Sequence, residues 1–354
     1  MVRKNLLSSF TVRRVNPSTF AITKDDTYSE HPIIYAKIHP KAPVIILSDT
    51  GCNAPSKRSK DAKYTHLRQL LEECPVEAND NKPLNPSPAR SYIIICSHCH
   101  FDHIGGISQF TTDFNPIVAS ATGDTFVLGD LPEHSLCNFM HIEPPQYFVS
   151  CWAPNNVQLF YSPRFGVIAE PPSSASRSDD DDGPPDFSLT NLGITIYNTP
   201  GHTPDSLAWY DHAERHIYVG DSLYLLASPT RSRDEIIYRG PIVFPNEGSW
   251  ITYLDSMKRL LHEMRTLNQQ RDDGVPRIKL SAAHTTVGED AEDLLSGVIW
   301  EFEAIIDGKV PVVEETVIRS EVNCLWHAER SKWAVRAPKR LCDEARIHRE
   351  AVRR

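Results

Sequence analysis

The stretch "CSHCHFDHIGG", Cys96 to Gly106, decides the reading of this chain. His98, His100, Asp102 and His103 stand almost side by side in it, after the apolar run "SYIIIC" and before two glycines. A short apolar run bounded by turn residues predicts a buried strand, so the four polar side chains sit on a turn at that strand's end. Imidazole nitrogen and carboxylate oxygen are ligands of first-row divalent metals. Alternation along a short extended segment points His98 and His100 the same way, and the turn carries Asp102 and His103 to a second position. One such group can serve two metals about 3.5–4 Å apart.

Four ligands are too few for two metals. His202 in "NTPGHTPDS", Asp221 in "YVGDSLY" and His284 in "LSAAHTT" share one context: an apolar run stops, a ligand-type side chain appears, and a turn residue follows. Loops at one edge of a sheet are where sites are built. A carboxylate such as Asp221 can bridge two cations. The other ten histidines, from His31 to His348, lack such company and read as ordinary surface or core residues.

The series "HCHFDH", a lone His, a lone Asp and a final His resembles the metallo-β-lactamase superfamily, and Asp49 in "LSDTG" matches that family's first motif. The resemblance spans roughly residues 18–307. It implies an α/β fold, a four-layer αβ/βα sandwich of two mixed sheets with outer helices. It implies that His98, His100 and His202 bind one metal, that Asp102, His103 and His284 bind another, and that Asp221 bridges them. The cofactors it implies are two divalent ions, most commonly Zn2+. His100 stands where oxygen-reducing flavo-diiron members usually carry Glu.

Two such cations lower the pKa of a shared water toward neutrality and polarise the oxygen under attack, so the reaction type is hydrolysis. Tyr224, three residues after Asp221, matches the offset of a tyrosine in quorum-quenching lactonases of this superfamily, where it would act as an oxyanion donor; the structural alternative is that it packs at the sheet edge. Asp102 is the candidate to protonate the leaving group, which makes Asp102, Tyr224 and Asp221 the catalytic candidates. "FPNEGSWITYLDSMKRLL" and "IIDGKVPVV" resemble fungal members, which include lactonases, lactamases acting on benzoxazolinones and polyketide-releasing thioesterases. Opening of a cyclic ester or cyclic amide is the first expectation. A thioesterase of the glyoxalase II kind is the rival, and a non-catalytic metal-binding module is the alternative of another class.

Composition narrows the field. Net charge is 37 − 46 = −9, which disfavours a nucleic-acid partner. No apolar run reaches the length of a membrane span, and the first twenty residues lack the apolar centre of a secretory signal. These features predict a cytoplasmic protein with reduced cysteines and a small-molecule substrate. The sequence carries no signal for the oligomeric state.

Along the chain, "TFAIT", "IIYAKIH" and "VIILSDTG" read as strands, 61–74 as a helix and 75–90 as a loop. Residues 130–187 read as irregular. Their first part is aromatic, and Phe139, Met140, Phe148, Trp152 and Phe160 are candidates to line a cleft, though packing accounts for most of them. Their second part, 171–186, is an acidic low-complexity insertion with the composition of a flexible segment. Strands resume with "GITIYNTPG", "SLAWYD", "RHIYVGD" and "IKLSAAH", and helices are predicted over 249–268 and 289–307. The expected division is a hydrolase-like domain over 1–308 and a basic tail over 309–354 that packs on it or extends it.

Overall fold

The computed structural model describes residues 8–58, 61–170, 189–228 and 236–353. The acidic insertion 171–186 lies outside the described residues. The first sheet runs in chain order: β1 (Phe10–Arg14), β2 (Thr19–Lys24), β3 (Ile33–Ile38), β4 (Val44–Ser48), β5 (Ser91–Ile95), β6 (Ile117–Ser120) and β7 (Cys151–Ala153). β1 to β4 pair antiparallel, and β4 to β7 pair parallel. The second sheet contains β8 (Val157–Ser162), β9 (Gly166–Glu170), β10 (Thr190–Asn198), β11 (Leu207–Asp211), β12 (His216–Tyr218), β14 (Lys279–Ser281) and β15 (Glu289–Asp290). Here β12 and β14 are parallel neighbours. A third sheet joins β13 (Ile242–Val243), β16 (Val312–Ile318), β17 (Glu321–Trp326) and β18 (Val335–Pro338).

The runs "VIILS" and "YIII" do not alternate in polarity because both of their faces are covered. Val44, Ile46, Ile93 and Ile95 face the second sheet, where they share a core with Ile194, Trp209 and Tyr218. Ile45, Leu47, Tyr92 and Ile94 face outward onto Leu67, Leu70 and Leu71 of helix α1 (Leu67–Glu73). On the far side, Tyr197, Tyr210 and Ile217 of the second sheet pack against three long helices: α6 (Trp250–Gln269), α7 (Ala291–Ile306) and α8 (Lys339–Val352). The order of layers is helix, sheet, sheet, helix. Each fully buried Ile or Leu in them contributes about 1.5–3 kcal/mol.

α6 and α7 begin where hydroxyl and carboxylate caps permit: Ser249 accepts from the Thr252 N–H and Asp290 from the Asp293 N–H. Between β5 and β7 lie the short helices α2 (Phe101–Ile104), α3 (Asp124–Gly129), α4 (Leu131–His134) and α5 (Cys137–Met140). The expectation of irregular chain from 130 needs correction over 151–170, which forms β7, β8 and β9. Single turns such as Pro163 to Phe165 separate these strands, and the aromatics inside them hide the alternation. The tail from 309 is ordered as the β16–β17 hairpin, β18 and α8, and Leu341, Cys342 and Ala345 enter the same core as α6 and α7.

Candidate metal centre

The ends of five strands meet at one rim. β4 ends in Asp49, β5 in the turn from Cys96 to His103, β10 in the loop to His202, and β12 and β14 in Asp221 and His284. Parallel pairing makes this possible, because neighbouring parallel strands finish on the same edge. The Asp49 N–H donates to the Ile95 carbonyl, and the Ala283 N–H to the Gly220 carbonyl. The Leu207 N–H donates to the Ser97 carbonyl and ties the two sheets together beside the site. Gly220 is required there: its φ is +53°, and a Cβ would stand 2.6 Å from the Ser97 Cβ. At Gly201, next to His202, a Cβ would stand 2.3 Å from the Tyr253 Cα.

All seven predicted ligands converge, and all are buried. His98, His100 and His202 form one group; Asp102, His103, Asp221 and His284 form the other. The His98 Nε2 is 2.9 Å from the His100 Nδ1, which is 3.3 Å from the His202 Nε2. In the second group the His103 Nε2 is 3.3 Å from the Asp102 Oδ2 and 3.5 Å from the Asp221 Oδ1. The His284 Nε2 is 3.4 Å from the Asp221 Oδ2 and 3.7 Å from the Asp102 Oδ2. Donors about 2.0–2.1 Å from a tetrahedral cation stand roughly 3.3–3.4 Å from one another. Both groups have close to that spacing.

Nitrogen and oxygen atoms in the two groups are also left without a partner. The His103 Nε2 and Asp221 Oδ1 are buried and make no hydrogen bond. Buried polar atoms are nearly always satisfied, so these fit an ion between them. On its other side His103 is fixed. Its Nδ1 lies 2.9 Å from the Asp49 Oδ2, and Asp49 also accepts from the Ser97 N–H at 2.7 Å and the Ser97 hydroxyl at 2.8 Å. A proton held on Nδ1 leaves Nε2 as the lone-pair donor. Asp49 takes a left-handed backbone, φ 65°, to reach this position.

The electrostatics of the groups differ. Burial lowers His98, His100 and His202, the last two to about 3 and about 4. These imidazoles are neutral at neutral pH, as metal ligation requires. Burial also penalises charge on His103 and His284, but Asp102 and Asp221 outweigh it and raise both histidines. Burial disfavours the Asp221 carboxylate too, yet His284 and His103 hold it well below the usual range. The second group is therefore an ion-paired network in which a cation can replace the imidazolium protons.

Residues 91–264 match the metallo-beta-lactamase superfamily. The chain carries a domain of that superfamily. Six of the seven ligands lie inside the matched span; His284 and the supporting Asp49 lie outside it and are brought in by the fold. A protein of Aspergillus versicolor named "Putative transcription factor avaE" is 27% identical over 312 residues, covering 88% of this chain and 80% of that one. The solved structure of VMB-1 is 10% identical, with a TM-score of 0.46 over 83% of this chain and 96% of its own. That of DIM-1 metallo-beta-lactamase is 13% identical, with a TM-score of 0.44 over 83% and 100%. The metallo-beta-lactamase of Pontibacter korlensis is 12% identical, with a TM-score of 0.45 over 82% and 97%.

The superfamily site opens into a cavity of about 370 Å³. Phe139 and Met140 line it, while Phe148 is exposed elsewhere, Trp152 packs on the outer core and Phe160 is buried in β8. Tyr224 lines it too. Its hydroxyl donates to the Pro241 carbonyl at 2.9 Å and accepts from the Val243 N–H at 3.3 Å, and its ring lies 5.0 Å from that of His284. Burial, then the neighbouring Tyr238, raises the Tyr224 hydroxyl well above its ordinary range.

Four features of the cavity escape sequence reasoning. Glu30 reaches it from the loop between β2 and β3, and burial and the Asp102 charge raise its carboxyl to about 8. The Tyr238 ring lies 4.5 Å from the His284 ring, tilted by 42°. Ile318, Arg319, Asn323 and Arg336 come from the C-terminal sheet, so the tail forms a wall of the site. Asn246 faces it from the loop before α6. A lone acid or tyrosine in a loop carries no periodic or spacing signal. Among the described residues no helix is long and apolar enough to cross a membrane.

Proposed function

We propose that this chain is a metal-dependent hydrolase that opens a small cyclic ester or cyclic amide. The observation that carries the reading is the spacing of the seven buried donors, two groups with tetrahedral separations facing one cavity. His98, His100 and His202 would hold one divalent ion, Asp102, His103 and His284 a second, and Asp221 would bridge them; the chemistry of the donor set suits Zn2+. When bound, the ions supply a water with a pKa near neutrality and a Lewis acid for the carbonyl oxygen. In the reaction one water is consumed: a C–O bond forms at the carbonyl carbon, the ring C–O or C–N bond breaks, and the proton ends on the released oxygen or nitrogen. The Asp102 Oδ2, 3.3 Å from the His103 Nε2 and 3.7 Å from the His284 Nε2, would move that proton. Phe139, Met140 and Phe244 exclude bulk water from one side of the cavity.

A non-catalytic metal-binding module is the second reading, and the naming of the A. versicolor relative as a transcription factor, a non-enzymatic role, favours it. The intact donor set and the cavity beside it favour the enzyme. Metal analysis of the purified protein, with assays on lactones, lactams and thioesters, tests the choice. Bound zinc with ring opening supports the proposal. Bound zinc with no hydrolysis of any of the three classes supports the module. Tyr224→Phe should keep the metal and lower the rate by up to about tenfold, the size of one hydrogen bond. Full activity of Tyr224→Phe on every substrate removes Tyr224 from the reaction.

A further inference from the structure

The loop that carries Glu30 is held in an unfavourable shape. Ser29 and His31, on either side of Glu30, take left-handed backbones with φ of 68° and 47°. Such positions persist when the surroundings over-determine them, and they cluster at functional sites. The surroundings here are one buried carboxylate. Asp26 accepts from the Glu30 N–H at 3.3 Å and the His31 N–H at 2.7 Å, and its Oδ2 is 2.9 Å from the His31 Nδ1. Ser29 and Thr27 are fastened to the next loop by Lys57 and by the Pro55 carbonyl. The outcome is a fixed Glu30 that lines the metal cavity beside Asp102, Asp221 and His284. Its carboxyl group has no hydrogen-bond or ion-pair partner among the described residues, although the residue is half-buried.

The cations of the same cavity are already occupied. Arg319 sits at the tip of the β16–β17 hairpin and pairs with Glu247 and Glu133, each at 2.6 Å. Arg336 pairs with Glu314 at 3.0 Å and donates to the Thr316 hydroxyl. Among the described lining residues no arginine or lysine is left over for an anionic substrate group, and the neutral polar groups are Asn246, Asn323 and the hydroxyls of Tyr224 and Tyr238. The opposite wall is apolar.

We propose that the cavity selects an uncharged, largely apolar ring compound whose N–H or O–H group, next to the scissile carbonyl, is accepted by Glu30, and that it discriminates against carboxylate-bearing compounds. This favours a cyclic amide with a free N–H over the corresponding ester. It rests on the hydrolase reading only in taking this cavity as the substrate site.

The test uses the zinc-loaded full chain with four probes: 2-oxindole, its N-methyl analogue, benzofuran-2-one, and a ring-carboxylated 2-oxindole. Binding is measured by calorimetry and turnover by product analysis, for the native protein and for Glu30→Leu and Glu30→Gln. The native protein should prefer 2-oxindole over the N-methyl and carboxylated compounds by about 3- to 10-fold, the size of one hydrogen bond. Glu30→Leu should erase the N–H over N-methyl ratio with zinc content unchanged, and Glu30→Gln, which keeps an acceptor, should retain part of it. A merely structural Glu30 would lower affinity for all four probes together. An unchanged ratio in Glu30→Leu, equal or better binding of the carboxylated probe, or no binding of any neutral probe at millimolar concentration overturns the proposal. Selective binding without turnover overturns the hydrolase reading and leaves this one standing.

Discussion

Lys37 and Asp211 form an ion pair of 2.6 Å between the two sheets, at the end of β3 away from the metal rim. Both are almost fully buried, like the seven ligands at the other end of the sandwich. Lys37 also donates to the Ser18 hydroxyl at 2.8 Å, and the Asp211 Oδ1 accepts from the Ala213 and Glu214 N–H groups. This cluster completes itself: one cation, one anion, and neutral groups for the rest. The rim cluster instead gathers five imidazoles around two carboxylates, more donors than its charges can pair, and their ligand atoms converge in two tight groups. Burial of charge is therefore no mark of function by itself. Several buried ligand atoms converging within one coordination distance are.

The comparison breaks first at Asp221. Asp221→Ala should empty the metal site and abolish turnover, read by elemental analysis and assay; a variant that keeps its full metal content would show that Asp221 is no ligand. At the closed cluster the effect should fall on stability instead. Lys37→Met strands Asp211 and should cost about 3–5 kcal/mol in urea unfolding of the metal-free protein, with the metal content of the folded protein unchanged. If metal is lost as well, the two clusters are not independent.

Asp49→Asn sharpens the contrast, because it acts on the rim through His103 and through Ser97, whose hydroxyl also meets the His98 Nδ1 at 3.1 Å. It should weaken metal binding about 10- to 100-fold in competition with a chelator. An unaltered affinity would mean that the His103 orientation is set by packing. The last contrast is in pH dependence. Burial, with Lys279 nearby, lowers His216 to about 3 while its nitrogen bonds the Ser281 hydroxyl. The unfolded chain takes up that proton below about pH 6.5 and the folded chain does not, so the neutral form's stability is lost as pH falls from about 6.5 toward 3. His216→Gln should flatten the acid side of the stability curve of the metal-free protein by at most about 1.4 kcal/mol per pH unit. A slope identical to that of the native chain would contradict a neutral buried His216.

Much of the rim is legible in the residues themselves. Each ligand follows an apolar run and precedes a turn, and both habits are local. α6 and α7 appear within one or two residues of the expected bounds because apolar periodicity and caps are local as well. The helix expected over 61–74 is shorter, Leu67–Glu73, since only its leucine-bearing half finds a sheet to pack on. The hairpin Val312–Trp326 hides in what reads as a basic, mixed tail. Its outer strand faces solvent and has no apolar face to show, and its Arg319–Ser320 turn lacks the usual glycine.

The amino-acid sequence determined which side chains can bind metal and that they stand at strand ends, because ligand chemistry and strand termination are properties of short segments. Only the tertiary structure decided that the candidate ligands gather in two groups, that the C-terminal hairpin walls the cavity, and that Glu30 lines it without a partner among the described residues. Those facts depend on distances between segments far apart in the chain, and such distances are fixed when parallel strands finish on one edge and two sheets close over a common core.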